Sequence, residues 1–429
     1  MAELLTPSDV EVKDVYIETS TGKRLKIDDL IAEFNVYESI YTPILRGDML
    51  ILDATSLFSS LPIVGQEKIS GTIIRGDETK TFSFYTTDVA DIRNVNDYTL
   101  EYKLNLIEEA YYYNAVSLVS ESYEGSVSDI VKRIAEDYLK IDIEVEQTSG
   151  NYKFVIPNWN PYRAIRWLTR RAYNENNVPF VCYNTFYNGV QFRSLESIFG
   201  KESTETFSYK EKKANKTEAQ IQAGTFSNYM EYARTAFLFR QLELAPMTEL
   251  VNNGAYASRT QLIDTMNKNY KIFDYNYNEN FDRQPRVAKS KVLSDKFLIG
   301  EKSVYEQPTT KQTNFVHSGL SFGDSHYDYN GDVFNSSPHL HSYLNTLNNY
   351  RYRMGVPGRM DLEVGSAVGV EVNKNAVMTE NEKGDVKDVR RSGKHIITSL
   401  RHQFSNNDNY QLIMDVARDT MGADHDEAV

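Results

Sequence analysis

The chain has 429 residues, a formal net charge of −13, 41% hydrophobic and 12% aromatic residues, and 30 tyrosines. That much apolar surface excludes a wholly disordered protein, and the length implies two to four domains rather than one core. The acidic balance argues against a general nucleic-acid binder, whose phosphate contacts need clustered Lys and Arg, while it suits a surface that DNA must pass without sticking.

No stretch holds the roughly 20 uncharged apolar residues of a membrane-spanning helix, and the start MAELLTPSDV lacks the basic and apolar regions of a signal peptide. No integral membrane segment and folding in a cytoplasm are therefore expected. Cys182 is the single cysteine, so no internal disulfide or thiolate metal site can form, and a buried thiol is expected.

Residues 10 to 107 read as short strands with one helical interruption. Val10 to Glu18 and Arg24 to Ile27 flank a Thr-Ser-Thr-Gly turn. Ala32, Phe34 and Val36 then alternate with Glu33 and Asn35, a half-buried strand. Met49, Leu50, Ile51 and Leu52 between Asp48 and Asp53 predict a strand with a core face and a partner-covered face. "ATSLFSS" predicts a short helix ended by Pro62, and Gly65 turns the chain into a strand at Lys68. A hairpin through Gly76-Asp77 follows. "YTLEYKLNLI" alternates Leu100, Tyr102, Leu104 and Leu106 with Glu101, Lys103 and Asn105. The absence of long helices here suggests a small antiparallel barrel or sandwich.

Past Tyr111 the period changes to helical. "SVSDIVKRIAEDYL" places Ile130, Ile134 and Tyr138 on one stripe after a serine N-cap, and "PYRAIRWLTRRAYNE" starts at Pro161 with Ala164, Ile165, Leu168 and Ala172 inward. The strands "VPFVCYN" and "GVQFRSLE" complete a small α+β unit. "GKESTETFSYKEKKANKTEAQIQAG" reads as a loop or linker, and "TFSNYMEYARTAFLFR" fits strand or helix. Residues 265 to 338 lack a firm period and read as an irregular insertion, functional or ordered by a partner. "SYLNTLNNYRYRM" predicts a helix, "GRMDLEVGSAVGVEV" two short strands about Gly365, and "KHIITSLRHQF" with "YQLIMDVARD" a closing hairpin. "ENEKGDVKDVRRSG" reads as a mobile loop.

Few residues carry a chemical signature. "HYDYNGD", His326 to Asp332, matches a calcium loop at Asp328, Asn330 and Gly331, but His326 and Ser337 replace the essential carboxylates, so a turn is expected. His339 and His341 form an H-x-H without a third ligand and read as exposed. Arg163, Arg166 and Arg170 share one helix face with Arg171 adjacent, and in an acidic protein they are expected to meet carboxylates. No G-x-S-x-G, Walker A, G-x-G-x-x-G or H-E-x-x-H occurs, and no acid/base pair stands out. The chain therefore reads as a non-enzyme without cofactor or metal.

"NVYESIYTPILRGDMLILDATSLFSSLPIVGQEKISGTI" resembles the first tube domain of the central baseplate hub proteins of contractile-tailed phages, a family related to the hub part of type VI secretion spike proteins. "SLVSESYEGSVSDIVKRI", "VIPNWNPYRAIRWLTRRA" and "GKHIITSLRHQFSNNDNYQLIMDV" resemble the hub's paired helices and closing hairpin, in the same order. The resemblance implies a β-rich α+β fold with two similar antiparallel β-barrel tube domains, a small α+β domain and an irregular insertion domain. The implied boundaries are 1–111 for the first tube domain, 112–205 for the α+β domain, 206–240 with 338–420 for the second tube domain, 241–337 for the insertion, and 421–429 for a disordered tail. It also implies a homotrimer that adapts the sixfold tail tube to a threefold central spike and forms part of the DNA channel of the virion baseplate. The implied partners are a separate spike protein, tail tube initiator or tube proteins, and baseplate wedge proteins. Leu50, Leu52, Phe58, Leu61 and Ile63 are the candidate subunit-interface residues. The alternatives are a tail-associated cell-wall hydrolase and a trimeric receptor-binding tail protein.

Overall fold

The computed structural model describes residues 6–61, 63–209, 232–244, 246–264, 268–283, 285–307, 312–317, 330–347, 349–374, 387–406 and 408–421. Pro62, His326 and Asp328 lie outside them.

The N-terminal strands are β1 (Glu11–Glu18), β2 (Arg24–Lys26), β3 (Ile31–Ser39), β4 (Arg46–Asp53), β5 (Lys68–Arg75), β6 (Glu78–Asn96) and β7 (Thr99–Ile107), with helix α1 (Leu57–Ser60) after β4. The alternation read from sequence sets their faces. Met49 and Ile51 of β4 and Tyr102, Leu104 and Leu106 of β7 are buried, while Leu50 and Leu52 turn the other way. α1 starts where the Asp53 carboxylate accepts the amides of Thr55 and Phe58, and it ends at Leu61 in an extended conformation. Glu67 is buried and accepts from the amides of Val64, Gly65 and Gln66, wrapping the turn before β5. Gly65 has a φ of 87°, and a Cβ there would stand 2.6 Å from the Thr87 carbonyl oxygen.

The α+β unit holds α2 (Glu109–Val116), β8 (Val119–Gly125), α3 (Val127–Ile134), β9 (Ile143–Val145), β10 (Tyr152–Trp159), α4 (Pro161–Thr169), β11 (Phe180–Thr185), β12 (Gly189–Ser194) and α5 (Leu195–Gly200). Ser126 caps α3 by accepting from the Asp129 amide, and Pro161 opens α4. Ile130, Ile134, Ile165 and Leu168 meet in one core, which also buries Cys182.

β13 (Ser203–Tyr209) and β14 (Leu238–Leu244) follow. The insertion then builds α6 (Met247–Asn252), β15 (Ala257–Asp264), β16 (Asn269–Asn276), α7 (Tyr277–Asn280), β17 (Leu298–Ile299), β18 (Lys302–Ser303), β19 (Gln312–His317) and α8 (Asn330–Thr346). It is not irregular: β16, β15 and β19 form a sheet, and Tyr256, Tyr275, Tyr277 and Tyr305 form much of a core of their own. Arg286 is buried between Tyr277 and Tyr343, 3.5 Å from Asp419, and ties the insertion to the chain's C-terminal end. Met421, the first residue of the expected tail, is buried and bridges Ser290.

β20 (Tyr350–Pro357), β21 (Ala367–Val372), β22 (Gly393–Ser405) and β23 (Asn409–Arg418) close the described chain. Three local readings change here. The expected helix at "NNYRYRM" is β20, because Tyr350, Tyr352, Met354 and Val356 alternate into the core. Only one strand, β21, forms after Gly365, and the expected linker contains β13, held by parallel pairing to β21.

Among the described residues the large sheet runs β14-β20-β23-β22-β3-β4-β7-β6-β5-β1-β2, with β21 and β13 attached at β22. β3 pairs with β22 from Glu33↔Ser405 to Ser39↔Ser399, so the N- and C-terminal halves share one sheet, and Phe34 stacks on Phe404 across the junction. The path is open at both ends. The β-rich, largely antiparallel character expected from the sequence is present, and among the described residues the strand pairings form one large sheet with no closed barrel.

The junction is sealed by a buried polar seam. Glu38 accepts from the amides of Phe186 at 2.6 Å and Val364 at 2.9 Å, and lies 3.0 Å from His402 Nε2. His402 Nδ1 lies 2.7 Å from the Tyr410 hydroxyl, which donates to the Arg359 carbonyl. The seam thus joins β3, the β11–β12 turn, β22 and β23.

Candidate assembly surface

Eight consecutive strands, β14 to β6 along the sheet order, present one outward face, and most of its charges are matched within the chain, Arg46 and Arg240 being exposed there without a carboxylate partner among the described residues. Arg353 grips Asp415 through two hydrogen bonds of 2.7 and 3.0 Å, and Arg351 reaches Glu243 at 3.1 Å. Arg401 bonds Asn35 and Glu33, Asp48 accepts from Asn35 and Tyr37, and Lys103 lies 3.3 Å from Asp48. Arg93 donates to Glu101 at 2.6 Å on β7. Burial, then the Asp48 carboxylate, push the Tyr37 phenol well up.

Both ends of this stretch carry open edges. β6 is covered on its β5 side only as far as Thr86, whose amide bonds to Glu67; residues 88–96 pair with β7 alone among the described residues. That arm exposes Ile92, Val95 and Tyr98. Among the described residues β14 pairs only with β20, and it exposes Leu238 and Leu244. Unpaired strand edges with exposed apolar side chains are templates for another chain.

The five interface candidates separate. Leu50 is half-buried and Leu52 is 38% exposed, both on the outward face beside Lys103 and Glu101. Phe58 packs on the Tyr102 ring at 5.1 Å, and Leu61 and Ile63 lie in the chain's own core. Burial alone would raise the Asp53 carboxyl, but the amides of Phe58, Leu57 and Thr55 outweigh it and hold it low.

The remaining marked residues also find places. Arg163, Arg166 and Arg170 are exposed on α4, and contrary to expectation none of them, nor Arg171, pairs with a carboxylate among the described residues; Arg163 and Arg171 lie over Trp159 and Trp167 instead. The nearby acids are taken: Glu121 accepts from Tyr138, and Glu124 faces Lys153. His339 and His341 sit on α8, and contrary to the expectation that both are exposed His339 is buried against Tyr275, with its pKa lowered to about 4 by that burial. No group of three or more His, Cys, Asp or Glu side chains suited to a metal occurs among the described residues. The buried carboxyl of Glu108, raised to about 7 by burial, is enclosed by Tyr162 and Asn184, which both donate to it. Sequence reasoning missed Glu108, the Glu38 seam and the β6 arm; only the last had a signal, the polar alternation continuing past Val89.

No family model and no curated protein matches the chain. Solved structures do. The tail protein from Neisseria meningitidis MC58 aligns with a TM-score of 0.55 at 11% identity over 96% of this chain and 98% of its own. The 43 kDa tail protein of prophage MuSo2 from Shewanella oneidensis aligns with a TM-score of 0.54 at 10% identity over 96% and 99%. The resemblance read from the N-terminal strands, paired helices and closing hairpin is thus borne out at the level of fold: over nearly its whole length, this chain folds as these two tail proteins do.

Proposed function

We propose that the chain is a structural hub of a contractile phage tail baseplate. It acts as a homotrimeric ring that adapts a sixfold tail tube to a threefold central spike and forms part of the DNA channel, without catalysis. Each copy supplies two similar tube-domain segments, one on either side of the β3–β22 junction. Its partners are a separate spike protein, tube initiator or tube proteins, and wedge proteins, and its place is the virion baseplate after assembly in the host cytoplasm.

The observation that carries this reading is the eight-strand stretch with an open edge at either end. Pairing β14 of one copy with the β6 arm of the next would close copies into a ring, hide both edges and cover Ile92, Val95 and Leu244. The outward face would then line the channel. It differs from the acidic wall that net charge alone suggests: Asp48, Glu33 and Asp415 are held by Tyr37, Arg401, Lys103 and Arg353. A wall on which most charges are matched offers DNA few free cations and little repulsion.

Lysine at Ile92, Val95 and Leu244 tests the closure. Sedimentation should show three copies for the native chain and one for the triple variant, with the circular dichroism of the folded chain retained. A native chain that remains single at high concentration, or a variant that still forms three-copy particles, would count against the proposal.

A further inference from the structure

The α4 face is not explained by a ring. The chain carries a net charge of −13, yet Arg163, Arg166, Arg170 and Arg171 crowd one nine-residue helix and its last turn with no carboxylate partner among the described residues. Burial, and then the neighbouring charge of Arg170, lower Arg171 to about 10. The forks are nonetheless held in place. Arg163 lies 4.8 Å above the Trp159 ring and Arg171 3.7 Å above Trp167, and Arg171 also donates to the Trp167 carbonyl. The two indoles meet edge to face at 5.6 Å, with Phe154 against Trp167 at 5.0 Å.

Stacking occupies the flat face of a guanidinium and leaves N–H edges for a bidentate acceptor. Arg166 and Arg170 stand one turn apart, about 6 Å along the helix, a spacing that matches carboxylates one turn apart on a facing helix or alternate residues of a strand. Phosphate shares the fork geometry, but one observation weighs against nucleic acid. Each indole already carries a guanidinium on one face, which leaves less ring for a base to stack on.

We propose that the α4 face is a docking surface for a carboxylate-bearing segment of another protein, gripped by Arg163, Arg166 and Arg170, with Trp159 supporting Arg163. This stands apart from the hub reading, since it needs only this surface and not the ring.

Fluorescence anisotropy with the full chain tests it, using labelled poly-L-glutamate and a labelled DNA duplex as probes at low and moderate salt. Salt-sensitive binding of poly-L-glutamate is expected, weakened about tenfold or more by Arg166→Glu with Arg170→Glu. The neutral pair Arg166→Gln with Arg170→Gln should weaken it less, and it keeps the test valid if the charge reversal disturbs folding. Arg163→Lys should weaken it by about threefold, because lysine keeps the charge but loses the fork. Absence of poly-L-glutamate binding, or binding that the substitutions leave unchanged, overturns the proposal. Tighter binding of the DNA duplex lost in the same variants, or a changed oligomeric mass in those variants, also overturns it by giving the face to nucleic acid or to a second copy.

Discussion

The outward face of the large sheet and the outer face of α4 are both rich in arginine, and they treat it oppositely. On the sheet, Arg93, Arg351, Arg353 and Arg401 reach carboxylates at 2.6 to 3.1 Å, whereas on α4 the guanidiniums lie against indoles or point to solvent. Both faces belong to one acidic chain, so composition does not explain the contrast. Placement does. Cross-strand register sets Arg353 directly opposite Asp415 and Asn35 opposite Asp48, while a helix lying over its own aromatic neighbours has no such ladder. Charges matched internally contribute to the fold, and charges left unmatched are available to something outside it.

If that division is right, substitutions should rank by how far inside the chain a charge is satisfied. The buried seam comes first. Glu38→Ala strips the acceptor from two backbone amides and from His402, and should cost about 3–5 kcal/mol in urea unfolding. A cost below about 1 kcal/mol would show that the seam does not hold the two halves together.

Glu108 sharpens the contrast through pH. Its carboxyl sits at about 7 when folded, above the ordinary 4.5, so its contribution is fully present below pH 4.5 and is lost as pH rises through 7. Across that window the native chain should lose about 3 kcal/mol from this group, and Glu108→Gln should flatten the slope. Denaturant midpoints measured from pH 4.5 to 8 check this, and an identical slope in the variant would refute it.

The matched sheet face comes next. Asp48→Ala leaves Asn35, Tyr37 and Lys103 without their common acceptor and should cost about 2 kcal/mol. On α4, Arg166→Ala or Arg170→Ala should change stability by less than about 0.5 kcal/mol, because neither side chain has a hydrogen bond or ion pair among the described residues. Equal costs at Asp48 and at Arg166, read from the same thermal melts, would erase the distinction between the two faces.

Much of the local structure was legible in sequence because one face of an element is enough to show it. Leu100, Tyr102, Leu104 and Leu106 gave β7, and the Asp53-to-Gly65 phrase gave α1 and the turn after it. Where two faces share the burial, or where the partner is distant, the pattern fails. β13 buries little but Phe207 and exists because β21, far along the chain, pairs with it. "NNYRYRM" has tyrosines that suit helix or strand alike, and only the pairing of Tyr352 with Val416 settles it. Glu38 and His402 are separated by 364 residues, so no local period could join them. The arginines of α4 were noticed and misread, since composition predicts that acids are near but not that Tyr138 and Lys153 already occupy them.

The central claim, that copies of this chain close into a ring with the matched face inward, is tested most directly by electron microscopy of the purified protein at side-chain resolution. The account predicts three copies about a central hole, β14 of each paired with the β6 arm of the next, and Asp48, Arg353 and Arg401 on the inner wall. A single-copy particle, or a ring that turns that face outward, would contradict it.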